Sequence, residues 1–371
     1  MISQKFEAVN RVGIDATPLS GRITGIGRYV LEICQLLNKL MPETEFFLYS
    51  PLPLIVEPPS DRWHMRVGGR RFPSSYRWLK ATVQGMADSD GIDVFWATRT
   101  ILPRNNDTFR TVSTVHDLNY LVFPKSMPAL TLLAHRLWFA HDLKKADVIV
   151  TNSVGTAERI QNMLGVTAAA VAKPGVAAVF CPQDPELVAV KLEMLGIHKP
   201  YFLAVGTLEP RKNLPTLVES FISLKLSGKL AKYELLVVGK RGWQDRKLRA
   251  LLAKAENYGV RWLAFVSDED LAVLYSGAQA LVFPSFYEGF GIPAVEARAC
   301  GVKKIIATDI PELREAGGNA GIYVSPTLSG IQNGLMCVVN DRDVCNSDSQ
   351  IPSWEDAARV MADQFRKLSF R

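Results

Sequence analysis

Two short segments hold the side chains best suited to chemistry. Gly206-Thr207-Leu208-Glu209-Pro210-Arg211-Lys212-Asn213 puts two adjacent cations, Arg211 and Lys212, just after an apolar run. If that run is a strand and a helix follows, the cations and the free backbone N–H groups of the helix start form a receptor for a diphosphate. Glu288-Gly289-Phe290-Gly291-Ile292-Pro293-Ala294-Val295-Glu296 follows a second apolar run, Ala-Leu-Val-Phe-Pro-Ser. Pro293 suits the first turn of a helix, which carries Glu296 in that turn and leaves Glu288 in the loop before it. Ionised carboxylates only accept hydrogen bonds, so both can take sugar hydroxyls. Gly289 and Gly291 allow a ligand close to the backbone. A third candidate is His116, at the end of Thr111–Val115. Taken singly, each motif also fits a solvated loop or a helix-start carboxylate.

The elements that must hold these residues read as alternating strands and helices. Strands are expected at Arg11–Asp15, Glu45–Ser50, Asp93–Trp96, Thr111–Val115 and Asp147–Val150. In the second half they are expected at Tyr201–Val205, Glu234–Val238, Arg261–Phe265, Ala280–Phe283 and Lys304–Ala307. Ile26, Tyr29, Val30, Ile33, Leu36, Leu37 and Leu40 follow the helical period after the first strand. Ser267 with Asp270 predicts a capped helix start. Strand–helix alternation predicts parallel sheets covered on both faces, and two such series predict two doubly wound, Rossmann-like α/β domains, which facing each other would make a cleft. The expected bounds are 1–190, 191–352 and a last helix, 353–371, with residues 327–353 a polar loop or weak helix. Ligands in such sheets bind at the carboxyl ends of the strands, where both chemical segments lie.

Bulk properties narrow the classes. The 371 residues exceed one ordinary core, and 48% hydrophobic with 22% charged residues is globular composition. Neither a signal-peptide core at the start nor an 18-residue apolar run is present, so a cytoplasmic location is expected. The five cysteines form no CxxC pair and predict neither a disulfide framework nor structural zinc. The formal charge of +6 admits nucleic acid, anionic lipid or a phosphorylated small molecule. No nucleic-acid-binding motif is present, and no G-x-G-x-x-G follows either domain's first strand, which argues against a dinucleotide oxidoreductase.

Taken together, the segments resemble family-four glycosyltransferases of the GT-B fold. The resemblance runs through Ile14-Asp15, Thr24-Gly25-Ile26-Gly27-Arg28-Tyr29, Val115-His116-Asp117-Leu118, the Ala146–Ser153 stretch, Lys173-Pro174-Gly175-Val176, GTLEPRKN, the Glu288–Glu296 segment and Ser353–Ala358. It implies a retaining transfer of a hexose by front-face substitution at the anomeric carbon. Arg211 and Lys212 would hold the donor diphosphate, with Gly206 in the loop beside them. Glu296 would hold the ribose, and Glu288 the transferred sugar. Gly289, Phe290 and Gly291 would offer backbone amides. Gly25 and Gly27 would close a loop on the donor and acceptor, with His116 near the reacting face of the sugar. No metal and no cofactor are expected, since the cations can stabilise the leaving phosphate and the Asp341-Arg342-Asp343 pair lies far from the motifs. GT-B phosphorylases and sugar-nucleotide epimerases share the architecture and stand as alternatives.

The resemblance is strongest to bacterial mannosyl- and rhamnosyltransferases of polysaccharide assembly, which favours GDP-mannose as donor and a lipid-linked glycan as acceptor, with no nucleic-acid partner. The stretch 62–87 carries Arg62, Arg66, Arg70, Arg71, Arg77 and Lys80 among Trp63, Phe72, Tyr76 and Trp78, without an acidic residue. It is expected to touch an anionic membrane surface peripherally, because basic residues gain about 1 kcal/mol each there.

Overall fold

The structure is a computed structural model; it describes residues 9–21, 23–68, 72–104, 108–242, 246–340 and 350–368. The chain divides into two compact units. The first comprises the described residues within Met1–Leu121, Met127–Gly175 and Ser353–Arg371; the second, those within Val122–Ser126 and Val176–Pro352.

The first unit is built on β1 (Arg11–Asp15), β2 (Glu45–Ser50), β3 (Trp63–Val67), β4 (Val94–Ala97), β5 (Arg110–Val115), β6 (Val148–Thr151) and β7 (Ala170–Val171). Their order is β3-β2-β1-β4-β5-β6-β7, and every pairing is parallel. The second unit holds β8 (Tyr201–Val205), β9 (Glu234–Val238), β10 (Val260–Leu263), β11 (Ala280–Phe283), β12 (Ile305–Thr308) and β13 (Gly321–Val324), in the order β10-β9-β8-β11-β12-β13, again all parallel. Strands such as β11 and β12 are buried along their whole length, as sheets covered on both faces require. The sequence direction reverses between β1 and β4 in one sheet and between β8 and β11 in the other. These are the switch points at which loops part and leave a crevice.

Helices fill both faces. Gly25–Leu40 buries Tyr29, Val30, Ile33 and Leu37. The last helix, Trp354–Lys367, belongs to the first unit and adds Trp354, Ala357, Ala358, Met361, Ala362 and Phe365 to the same core. Its start passes so close to Gly175 that a Cβ there would sit 2.1 Å from the Trp354 nitrogen, which explains a glycine in the Lys173–Val176 turn.

Several elements differ from the sequence expectation. Residues 176–190 pack with the second unit rather than the first. There the Pro185–Met194 helix lies along the Asp268–Ser276 helix, and Phe180 and Ile197 enter the core. Ser267 caps the latter helix by accepting from the Asp270 N–H at 3.1 Å, while the Asp270 carboxylate pairs with Lys191. The polar stretch after 327 contains a true helix, Leu328–Val339, capped by Thr327 and buried through Ile331, Leu335 and Val338. Asp341 and Asp343 lie outside the described residues. Strands β3, β7 and β13 were not foreseen. Among the described residues no helix is long and apolar enough to cross a membrane.

Candidate active site

In the second unit the residues after β8 and after β11 meet across the switch point. The chain leaves β8 through Gly206, whose N–H bonds the Val238 carbonyl at 2.9 Å, and makes one short helical turn, Pro210–Lys212. Asn213 follows with φ of 54°, one of two non-glycine residues in the left-handed region among the described residues. That conformation turns the chain directly into the Leu214–Leu226 helix, so the cations are held rigidly beside its start. The opposite loop is tied on by the Phe286 N–H, which donates to the Arg211 carbonyl at 2.9 Å.

Glu288 lies between the two cations. Lys212 Nζ donates to Glu288 Oε1 at 2.6 Å, and Arg211 Nη1 donates to Glu288 Oε2 at 2.7 Å and to the Tyr287 carbonyl at 2.9 Å. Glu209 Oε1 accepts from Arg211 Nη2 at 2.6 Å and Nε at 3.1 Å. Lys212 also stands over the Phe283 ring at 4.9 Å. Burial opposes ionisation of Glu288, but the Arg211 and Lys212 charges outweigh it and hold its carboxyl at about 2. Burial likewise lowers the Lys212 pKa, against the Glu288 charge that raises it.

The helix Ile292–Ala299 begins at Gly291, whose φ of 116° and close approach to Leu313 and Ala316 leave no room for a side chain. Glu296 is its fifth residue, one turn deeper than expected, and is only 8% exposed. The Tyr275 hydroxyl, from the preceding helix, donates to Glu296 Oε2 at 3.1 Å. Burial and then the Glu296 charge push the Tyr275 pKa well up, so the phenol stays a donor. Phe290 is buried in the core, which leaves its backbone as the part a ligand could meet. Thus Gly206, Arg211, Lys212, Glu288, Gly289, Phe290, Gly291 and Glu296 all lie in the second unit, the first four grouped at its switch point. Glu209, which joins this group, and Tyr275, the partner of Glu296, were not foreseen. Glu209 sat within a motif that drew attention only to its cations, and Tyr275 has no local pattern to mark it.

The other expected residues belong to the first unit. Gly25 opens the helix after β1, and Gly27 is buried two residues on. His116 follows β5; its Nε2 bonds the Thr98 carbonyl at 2.9 Å and its ring meets Tyr29 edge-on at 4.9 Å. A carbonyl partner fixes the proton on Nε2 and leaves Nδ1 as an acceptor. Burial lowers its pKa, so the ring is neutral near pH 7. This switch point holds its own buried ion pair, also unforeseen. Arg99, after β4, donates to Asp15, at the end of β1, from Nε at 2.8 Å and Nη2 at 3.2 Å. Its guanidinium lies 4.4 Å over the Tyr76 ring. Thr100, next in the chain, is the second non-glycine residue with positive φ, 72°. Tyr76 reaches His135 Nε2 at 3.1 Å, and burial depresses the His135 pKa to about 4. Among the described residues no three His, Cys, Asp or Glu side chains converge as metal ligands.

Of the four described cations in the basic stretch 62–87, three bond within the fold. Arg62 donates to the Asn38, Met41 and Thr44 carbonyls, Arg66 pairs with Asp90, and Lys80 pairs with buried Asp142. Trp63 and Trp78 are core residues. Arg77 is exposed, and Arg70 and Arg71 lie outside the described residues.

Residues 195–344 match the family model described as glycosyl transferases group 1. The chain is 31% identical over 327 residues to O-antigen chain mannosyltransferase B of Escherichia coli, covering 83% of this chain and 85% of that protein. Among solved structures it is similar to sucrose-phosphate synthase from Thermosynechococcus elongatus, with a TM-score of 0.76 at 18% identity over 97% of this chain and 99% of the other. It is also similar to WaaG, a glycosyltransferase involved in lipopolysaccharide biosynthesis, with a TM-score of 0.69 at 17% identity over 95% of each chain. Two parallel-sheet units of the GT-B fold and a relative that spans most of the chain place this protein in the group 1 glycosyl transferase family: it is a glycosyltransferase.

Proposed function

We propose that the chain is a retaining, metal-independent mannosyltransferase that moves mannose from GDP-mannose onto a growing, lipid-linked surface polysaccharide of the O-antigen kind. It would work at the inner face of the cytoplasmic membrane. The observation that carries the reading is the Arg211–Lys212 pair, fixed across the second unit's switch point by Glu288 and Glu209. As the glycosidic bond to phosphate breaks, negative charge grows on the leaving diphosphate. Cations held in place beforehand stabilise that charge without having to reorganise. Lys212 uses one of its three donors on Glu288, which leaves two for phosphate oxygens. The Glu288 charge also favours the ammonium form of Lys212 against the cost of its burial. Glu296, oriented by Tyr275, presents a carboxylate suited to the paired hydroxyls of a ribose. The names of the relatives, O-antigen chain mannosyltransferase B and the shorter match RfbU of Salmonella typhimurium, support mannose and the acceptor class.

Thermal-shift measurements with a panel of nucleotide sugars test the donor. GDP-mannose at 100 times its dissociation constant should stabilise the protein by about 2.7 kcal/mol, while UDP-sugars give no shift at that concentration. Transfer to a polyprenyl-diphosphate oligosaccharide should continue in excess EDTA. Turnover lost in EDTA and restored by Mg²⁺ or Mn²⁺ would overturn the metal-independent mechanism.

A further inference from the structure

The helix Ala129–Lys145 of the first unit is apolar on both sides. Its inner side buries Ala134, Phe139 and Leu143, and Trp138 packs against the core cluster of Trp78, Leu79 and Phe95. Its outer side exposes Leu130, Leu133 and Leu137, which are 60%, 48% and 56% accessible. Residues three and four apart share a helix face, so these leucines form one stripe, and exposed His141 and Lys144 continue it. Exposed Arg136 flanks the stripe and exposed Lys145 follows it. The helix's one acidic residue, Asp142, is turned inward and paired with Lys80. The outer face is therefore apolar along its first half and cationic along its second. The segment Ser75–Val83 runs along the opposite, inner side of the helix, joined through Tyr76–His135 and Lys80–Asp142.

Three large leucines in a row on one exposed face are unfavourable in water unless something covers them. Cations at the edge, with no acid among them, select an anionic cover. We propose that this helix face is the surface by which the protein docks on an anionic lipid bilayer, the leucines entering the headgroup boundary and Arg136, Lys144 and Lys145 meeting lipid phosphates. The inference rests on the reading of the acceptor as lipid-linked, which gives such a surface something to approach. It also places the membrane contact away from Arg62, Arg66 and Lys80 of the 62–87 stretch, which bond inside the fold.

The test is cosedimentation of the full chain with vesicles of phosphatidylglycerol and phosphatidylcholine that contain no glycan acceptor. Leu130→Ser/Leu133→Ser/Leu137→Ser should bind on the order of 100-fold more weakly, the scale of three leucines withdrawn from lipid. Arg136→Ser/Lys144→Ser should lose about tenfold or more on anionic vesicles, and the parent should show the same loss in 0.5 M salt. Circular dichroism melts and GDP-mannose binding, measured on the same samples, should match the parent. GDP-mannose binding absent from parent and variants alike would count against the donor reading while leaving the docking result intact. Both variants binding anionic vesicles as tightly as the parent overturns the proposal. So does a parent that ignores vesicles and dimerises through the leucines, seen as a dimer that the triple variant dissolves in sedimentation.

Discussion

Glu288 has one oxygen on Arg211 and the other on Lys212, so the two cations hold its carboxyl ionised and its charge offsets their mutual repulsion in a buried place. On the proposed mechanism, removing either cation removes a stabiliser of the leaving group. Arg211→Ala and Lys212→Ala should each lower turnover by roughly 100-fold or more, with a smaller loss of donor affinity. Equal losses in single-turnover rate and in donor affinity would mark uniform binding instead. Glu296→Ala should weaken donor binding by about 2–3 kcal/mol in calorimetry while the fold survives, as for other hydrogen bonds to charged groups. His135 gives a pH signature. Its folded pKa is depressed from the ordinary 6.5 to about 4, so the unfolded chain binds the proton first. The stability it contributes is full above pH 6.5 and is lost as pH falls from 6.5 towards 4, at about 1.4 kcal/mol per pH unit over that window. Urea midpoints at pH 7 and pH 5 should differ more in the parent than in His135→Gln. An equal difference in both would assign the acid sensitivity elsewhere. At this scale the sequence was legible where chemistry is written locally, as in GTLEPRKN and the Glu288–Glu296 segment. Tyr275 and the Asp15–Arg99 pair were not, because distant segments meet only through the sheet order, and Glu209 was hidden behind the cations of its own motif.

The elements around the two switch points are built alike. In each, an ion pair joins the loop after one central strand to the loop after its neighbour, and a strained non-glycine residue follows the cation: Thr100 after Arg99, Asn213 after Lys212. Strain of this kind persists where the surrounding structure over-determines it, and it fixes where a side chain points. Asn213→Gly should relax the turn, keep most of the stability and loosen the clamp. Turnover should then fall several-fold more than donor affinity does, and an unchanged turnover would mean that the left-handed turn plays no part in positioning Lys212. Gly291→Ala is the opposite case. Its φ of 116° and a Cβ 2.8 Å from Leu313 should destabilise the second unit by about 2–3 kcal/mol in denaturant unfolding. Period and propensity reveal elements such as Gly25–Leu40 and the central strands, whose apolar runs are long. They hide β7, whose pairing with β6 has no pattern of its own in two residues, and β3, whose Arg62 and Arg66 read as part of a basic surface run but bond within the fold. The Leu328–Val339 helix was obscured by the polar residues around it, although Ile331, Leu335 and Val338 lie on one helix face.

At the scale of the whole molecule, the first strand and the last helix belong to the same unit. Of the described residues, the last helix completes the first unit's core, with Phe365 fully buried against Trp96 at 6.0 Å between ring centres and Arg366 bonded to the Leu40 carbonyl at 2.7 Å. Most of the second unit is therefore an insertion between β7 and that helix, and it closes its own cores around β8 and β11 without any residue of the helix. Damage to the last helix should accordingly be felt in one unit and spare the other. Phe365→Ala removes a fully buried ring from the first core and should cost about 3–5 kcal/mol there. The second unit contributes none of the atoms lost, so Arg211, Lys212, Glu288 and Glu296 keep their places. Calorimetric unfolding should show the first unit's transition shifted down and separated from that of the second, while GDP-mannose still raises the second. Transfer to acceptor should fall as the first unit loosens. A single transition that moves down as one, with donor affinity lost in proportion, would mean that the two units unfold cooperatively and that the last helix stabilises both.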